Sequence, residues 1–308
     1  MYEIAPLLDD PIHNLNTIRD ILRWSITEME NAKLSYGHGC QNSYEESSFL
    51  ICRALKLPFD AFDEFLDANL THNELVRLVQ LIDRRVHEKT PTPYLLKEAW
   101  LTNHCFYIDE RALIPRSYIA ELLEEDLAPW IEDPYEVGSV LDLCTGSGCL
   151  AILAQGYFPN AQVTGSDISA DALEVAKINR HDYDMDSTLE LVQGDLFENL
   201  TGRTFDLIIS NPPYVTTASM DALPDEYRQE PALALGAGVD GMDVVRRMLP
   251  EARHHLNEGG IMIVEVGDGL EAVEATFPGL EITWLSVSGG DDQVFMVTKE
   301  ALDAYFDN

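Results

Sequence analysis

Basic residues are scarce in this chain: 20 lysines and arginines stand against 54 aspartates and glutamates, a net charge of −34 over 308 residues. Such a surface repels phosphate backbones, and no basic patch offsets it, since Arg84-Arg85 and Arg246-Arg247 are isolated pairs. No stable nucleic-acid binding is expected. A basic partner is favoured instead, its arrival sped by the field. The acids are nevertheless spread along the whole chain, which fits adaptation to high salt better than a dedicated docking face.

Cysteine is sparse too. Cys40, Cys52, Cys105, Cys144 and Cys149 form an odd set with no C-x-x-C spacing, which argues against a disulfide framework and a zinc site. They read as small, reduced core residues. The eight histidines include no H-E-x-x-H, and His254-His255, before a Gly-Gly turn, suits a helix C-terminus better than a metal; no metal is expected. No run reaches the ~18–20 apolar residues that span a bilayer. The start, Met1-Tyr2-Glu3-Ile4, lacks the basic and apolar regions of a signal peptide. A soluble, cytoplasmic protein with no membrane partner is the expectation; oligomeric state has no signature in the chain.

What is present is enough for a large core: 46% of residues are hydrophobic, and the length favours two domains or one with an extension. Residues 13–89 read as a helical bundle. Leu15, Ile18, Ile21, Leu22 and Ile26 recur at helical spacing, as do Leu75, Leu78, Val79, Ile82 and Val86 after a Thr71-x-x-Glu74 start signal. Ser43 to Leu55 reads as a further helix. Pro91 and Pro93 break the pattern. Trp100 to Ile108 suits a short hairpin, and Tyr118 to Leu127 a helix capped by Ser117. The expected domains are 1–94 (helical, substrate recognition), 95–136 (hairpin and helix linker) and 137–308 (catalytic).

From about residue 137, strands alternate with helices. The expected strands are Val140–Leu143, Gln162–Ser166, Glu190–Gln193, Phe205–Ser210, Ile261–Val266, Glu281–Leu285 and Gln293–Val297, with a helix over Met242–Leu256 among those between them. Repeated β-α-β units imply an α/β fold with a parallel sheet covered on both faces. Ligands of such sheets bind beyond the carboxyl ends of the strands, so the residues just after each strand matter most.

The first strand ends in LDLCTGSGCLA, residues 141–151. Gly146 and Gly148 let the backbone turn sharply near a ligand, and the helix that follows offers unpaired N–H groups. This segment also matches the G-x-G-x-x-A form of a dinucleotide fingerprint. Asp167, at the end of the second strand, can accept both hydroxyls of a ribose. Gly194-Asp195 ends the third; its plainer reading is a turn aspartate. The glycines and Asp167 indicate an adenosine ligand without choosing between NAD and S-adenosylmethionine. Asp142, an acid just before the glycines, is awkward for a pyrophosphate and suits a ligand bearing an amino group and a sulfonium; Asp195 suits an adenine amino group.

The fourth strand ends in Asn211-Pro212-Pro213-Tyr214. An amide or aryl –NH2 is a poor nucleophile because its lone pair is delocalised. Two acceptors, the Asn211 side-chain oxygen and the Pro212 carbonyl, can fix such a nitrogen and aim its lone pair at a methyl carbon. The prolines stiffen the loop, and Tyr214 can pack flat on a planar group.

These residues resemble the class I S-adenosylmethionine-dependent methyltransferases that act on amide or amino nitrogens, and within them the HemK-like protein-glutamine N5-methyltransferases. The resemblance spans nearly the whole chain: a helical domain, a hairpin linker and a Rossmann-like catalytic domain. It rests on Cys144-Thr145-Gly146-Ser147-Gly148, Asp167, Asn211–Tyr214, and Glu230-Pro231-Ala232-Leu233 followed by Asp240-Gly241. It implies that Cys144–Gly148 hold the methionine part of the cofactor, Asp167 with Ile168 the ribose side, and Asp195-Leu196 the adenine, while Asn211–Tyr214 hold a glutamine amide. Pro115-Arg116-Ser117-Tyr118 and the ending Gly289–Phe295 look like the branch that modifies a large-subunit ribosomal protein; Tyr118 stands where that pattern has proline. The same reaction on a peptide chain release factor, methylation of an exocyclic amine in nucleic acid, an NAD-dependent oxidoreductase and a non-catalytic adaptor are the alternatives.

Overall fold

In the computed structural model, which describes residues 11–307, the chain divides into two units. One is Met1–Glu98 with Pro224–Gln229; the other is Ala99–Leu223 with Glu230–Asn308.

The first unit is helical because its apolar residues recur at helical spacing and its helix starts are capped. Helices α1 (Ile18–Asn31) and α3 (His72–His87) each open with a reciprocal capping box, Thr17 with Asp20 and Thr71 with Glu74. Asn42 caps α2 (Ser43–Ala54), and a short α4 spans Thr92–Leu96. Ile21, Met29, Leu50, Ile51, Leu78 and Ile82 pack into one core. Arg85 is buried beside it at 1% exposure. Its guanidinium donates to Glu46 Oε1 at 2.5 Å, to Glu226 Oε1 at 3.4 Å and to the Ser35 carbonyl at 3.0 Å.

The second unit begins with a hairpin, β1 (Ala99–Leu101) and β2 (His104–Phe106), inside the expected stretch. Helix α5 (Ile119–Glu124) is shorter than expected because Asp126 and Leu127 take left-handed φ values of +54° and +56°. Ser117 Oγ accepts the Ile119 N–H at 3.2 Å, so the serine does serve the helix start, although Tyr118 is the residue at the cap position.

A seven-stranded sheet follows. Its strands are β3 (Ser139–Leu143), β4 (Gln162–Asp167), β5 (Leu189–Gln193), β6 (Phe205–Ser210), β7 (Leu256–Glu265), β8 (Thr283–Val287) and β9 (Gly290–Thr298), in the order β5-β4-β3-β6-β7-β9-β8. The first five in that order are parallel, and β9 runs antiparallel to both β7 and β8. Helices α6 (Cys149–Tyr157), α7 (Ala170–Asp182), α8 (Thr217–Ala222), α9 (Asp243–Ala252), α10 (Leu270–Thr276) and α11 (Lys299–Phe306) complete the unit. Two apolar clusters, one around Val140, Ile152 and Ile209 and one around Leu141, Ile208 and Met262, fill the two faces of the sheet. Strand order reverses at β3, so the gap between the β3 and β6 tips is the switch point where ligands of open sheets bind.

Two boundaries differ from expectation. Helix α9, with Pro250 in its last turn, ends at Ala252. Leu256 already belongs to β7, where it pairs with Phe205. His255 consequently lies in the connection: its Nδ1 meets the Arg203 carbonyl at 2.9 Å and its ring stacks on Phe197 at 4.4 Å. Among the described residues no group of three metal-ligating side chains comes together, and no helix is long and apolar enough to cross a membrane.

Candidate active site

Beyond the β3 and β4 tips the backbone makes a tight cradle. Cys144, Gly146 and Gly148 all have positive φ, at +65°, +56° and +80°, and a Cβ at Gly148 would lie 3.1 Å from the Ala176 Cβ. Only glycine lets α6 start that close to α7. The turn is pinned to the neighbouring strand: Thr145 N–H donates to the Ser166 carbonyl at 2.9 Å, and Gly146 N–H to Asp167 Oδ2 at 2.8 Å. Asp167 Oδ1 takes the Ser169 N–H at 2.8 Å. Burial pushes the Asp167 carboxyl above its usual range, against these backbone bonds.

Asp142 takes a different position from the one its sequence suggested. It is 1% exposed, and its Oδ2 accepts from Thr145 Oγ at 2.5 Å and from the Ala151 N–H at 3.0 Å. The side chain thus staples the glycine turn to the first turn of α6 from behind, and it does not line the cleft. Burial pushes its carboxyl up to about 7, and its Oδ1 is a buried acceptor with no partner.

The Asn-Pro-Pro-Tyr segment leaves the tip of β6, next to β3. Leu143 and Ser210 are paired across the strands, and Ser210 Oγ donates to the Leu143 carbonyl at 2.6 Å. Cys144 and Asn211 are the next residues on each strand, so the glycine turn and the tetrapeptide leave one locked point. Tyr214 is held between two glycines. A Cβ at Gly241 (φ +77°) would lie 2.3 Å from the Tyr214 carbonyl oxygen, and one at Gly267 (φ +53°) would lie 2.7 Å from Tyr214 Cε2. Beyond it, Val215 N–H donates to the Leu235 carbonyl at 2.8 Å and Ala237 N–H to the Val215 carbonyl at 2.9 Å.

A cleft opens here at the tips of the strands. Of the residues singled out by sequence, Cys144, Thr145, Gly146, Ser147, Asp167, Ile168, Asn211 and Pro213 line it. Pro212, Tyr214, Gly148, Asp195 and Leu196 do not. Asp195 instead accepts from Arg247 at 2.8 Å, and Leu196 is buried with φ +51°.

Four groups of lining residues carried no assigned role in the sequence reading: Arg111–Leu113 with Pro115–Ser117, Cys149 with Leu150, Pro231 with Leu233 and Ala234, and Ser169 with Ala172. The first and third were visible as the Leu113–Ser117 and Glu230–Leu233 motifs. Glu230, whose side chain is fully buried, joins these two walls, accepting from Ile114 N–H at 3.0 Å and from Arg116 at 2.8 Å. Arg111 grips Asp109 at 2.7 Å, holding that carboxyl down at about 2.

The chemistry of this lining is selective. Burial raises the thiols of Cys144 and Cys149, the latter to about 12, so neither supplies a thiolate nucleophile at neutral pH. Asp167 keeps acceptor capacity on both oxygens, and Arg111 and Arg116 line the same cleft. That set fits a ligand with a hydroxyl-bearing sugar, a cationic centre and a carboxylate, which are the features of S-adenosylmethionine.

Comparison with known proteins agrees. A family model described as "Methyltransferase small domain" matches residues 121–224. A ribosomal protein uL3 glutamine methyltransferase from Burkholderia pseudomallei is 48% identical, covering 94% of this chain and 96% of that protein. The protein of the same name from Bordetella pertussis is 49% identical, covering 94% of this chain and 97% of that protein. A solved methyltransferase from Pyrococcus furiosus is 18% identical, with a TM-score of 0.47, and covers 74% of this chain and 99% of that one. At this identity over nearly the full length of its relatives, the chain belongs to the ribosomal protein uL3 glutamine methyltransferase family and is an S-adenosylmethionine-dependent enzyme of the class I α/β fold.

Proposed function

We propose that the protein methylates the N5 side-chain nitrogen of a glutamine in ribosomal protein uL3, using the cleft between the β3 and β6 tips. The observation that carries this is the Leu143–Ser210 lock, which fixes the glycine turn and Asn211–Tyr214 to one point. S-adenosylmethionine supplies a methyl carbon already activated by a positive sulfur. Cys144–Ser147 would hold its methionine part and Asp167 with Ile168 its ribose side; Asp195 and Leu196, outside the present lining, would flank the adenine.

The chain's own residues do the rest. Asn211, in the cleft lining, and the Pro212 carbonyl, just outside it, would accept the two amide hydrogens, and Tyr214, also outside the present lining, would pack against the amide plane. Held this way, the nitrogen presents its lone pair to the methyl carbon. The N–C bond forms as the S–C bond breaks, and the nitrogen then releases a proton to solvent. No strong base is needed, and the buried, protonated thiols provide none.

The relatives' names favour uL3 over a release factor. The net charge of −34 suits a basic protein substrate and opposes a nucleic-acid one. The helical N-terminal domain would recognise that substrate, and a ribosomal substrate would suit a cytoplasmic enzyme. The test is to incubate the protein with labelled methyl donor and either purified uL3 or a release factor, then map the label by mass spectrometry. One added methyl on a uL3 glutamine is expected. Label confined to the release factor, or to RNA in ribosomal particles, would refute the assignment.

A further inference from the structure

The cleft wall Leu113–Ser117 is held by two buried carboxylates from distant parts of the chain. Glu230 takes its first half: the Ile114 N–H at 3.0 Å and Arg116 Nη1 at 2.8 Å both donate to Glu230 Oε2. Glu265, at the end of β7, takes the second: Ser117 Oγ at 2.6 Å and the Tyr118 N–H at 2.9 Å both donate to its Oε2. The two acids are 4% and 1% exposed, a costly setting that such bonds offset. Their attachments differ. Strand β7 pairs directly with β6, so Glu265 fixes the wall to the sheet. Glu230 instead opens a run of chain that leads back to the tetrapeptide. Pro231 and the 3₁₀ turn Ala232–Ala234 follow it, and the Ala232 carbonyl accepts the Gly236 N–H at 3.0 Å. Gly236 then bridges Val215, the residue after Tyr214. Along this route the Asn211 side of the cleft reaches the Arg116 side through one carboxylate oxygen.

We infer that Glu230 is a positioning residue for methyl transfer: its reach ties the Leu113–Ser117 wall to the segment that supports the tetrapeptide, and so sets the width of the cleft in which methyl donor and amide meet. This rests on Asn211–Tyr214 holding the glutamine amide. Glu230 does not line the cleft; it acts through the two segments it joins. A misplacement of about 1 Å between reactants costs up to roughly 10²-fold in rate, so the length of this side chain matters more than its charge.

The experiment separates length from charge in the full chain. Glu230→Asp keeps the carboxylate but shortens it by one methylene. Glu230→Gln keeps the length and one oxygen for both donors but drops the charge. Each is assayed with purified uL3 and tritiated S-adenosylmethionine for kcat and KM, with cofactor affinity by calorimetry and melting temperature alongside. Glu230→Asp should lower kcat by about tenfold or more, with KM and cofactor affinity within about threefold. Glu230→Gln should stay within about threefold of wild type in kcat, whichever variant melts lower. A Gln loss equal to or larger than the Asp loss would make charge the active feature and overturn the inference. So would wild-type kcat in Glu230→Asp, or losses confined to KM or cofactor affinity, which leave Glu230 a structural plug. Should Glu230→Asp not fold, Pro231→Gly, which loosens the link between the carboxylate and its segment, decides alone: a several-fold lower kcat supports the inference and wild-type kcat overturns it. Asn211→Ala is measured beside them. Full activity there would sink the amide-site reading itself. An inactive Asn211→Ala beside a fully active Glu230→Asp would sink only the role of Glu230.

Discussion

At the scale of single residues, Asn211 and Asp167 should separate chemistry from binding. Asn211 lines the cleft one residue beyond the locked Ser210, and its proposed bond to the amide matters most as charge develops on nitrogen. Removing one such preorganised group costs roughly 10²–10³ in kcat. Asn211→Ala should therefore lose about that factor while its cofactor affinity, by calorimetry, stays within about threefold. Asp167→Asn should do the reverse. It keeps one acceptor but loses the charge-assisted bonds to the ribose hydroxyls, about 1.5–3 kcal/mol, so cofactor affinity should fall some tenfold or more with a smaller change in saturated kcat. Equal losses in both quantities for both variants would remove the proposed division of labour. The sequence singled these residues out because glycine spacing, strand-end acids and the tetrapeptide each have a direct chemical meaning, and both line the cleft. Asp142 was visible but misplaced, since a one-dimensional reading cannot tell a side chain pointing at ligand from one stapling the loop behind it. Gly267 carried no local signal at all; its meaning arises from Tyr214, about fifty residues away in sequence and adjacent in space.

At the scale of elements, legibility followed local physics. Every expected strand of the sheet is present, because parallel and antiparallel members alike are short, largely apolar runs bounded by turn residues and acids. The capping box predicted at Thr71 is formed, because such caps depend on a handful of neighbouring residues. Thr71→Ala should cost about 1 kcal/mol by chemical denaturation. Element ends were less legible where tertiary pairing sets them. Leu256 reads as helix by hydrophobic spacing but pairs with Phe205 in β7, and α5 stops where two residues turn left-handed. The buried Arg85 escaped notice for a related reason: an arginine on α3 reads as a solvated charge until Glu46 and Glu226 are seen around it. Arg85→Met would leave Glu46 and Glu226 buried without their cation, a loss of about 3–5 kcal/mol. Urea denaturation of the full chain, followed by a probe in the helical unit, would register that loss. A change under about 1 kcal/mol would mean that water reaches those carboxylates.

At the scale of the whole molecule, charge should dictate how stability depends on pH and salt. Asp142 and Glu265 both titrate near 7 in the folded chain, raised from 3.8 and 4.5 mainly by burial. Between about pH 4 and 7 the folded state therefore holds protons that the unfolded state has released. Stability then falls as pH rises through that window, by the linkage relation. Asp109, held down at about 2 by Arg111, has the opposite sign, but its loss lies below about pH 4. Self-repulsion among the carboxylates behind the net charge of −34 acts in the same direction as the two buried acids, since it grows as they ionise. The two causes separate by their response to salt, because exposed charges are screened and buried ones are not. The melting temperature at low salt should be higher at pH 5.5 than at pH 7.5, and added salt should narrow the gap without closing it. In Asp142→Asn and Glu265→Gln the part that survives salt should shrink. A melting temperature that rises steadily from pH 5.5 to 7.5 would show that both carboxyls are ionised at the lower pH, and that the fold keeps two buried negative charges throughout.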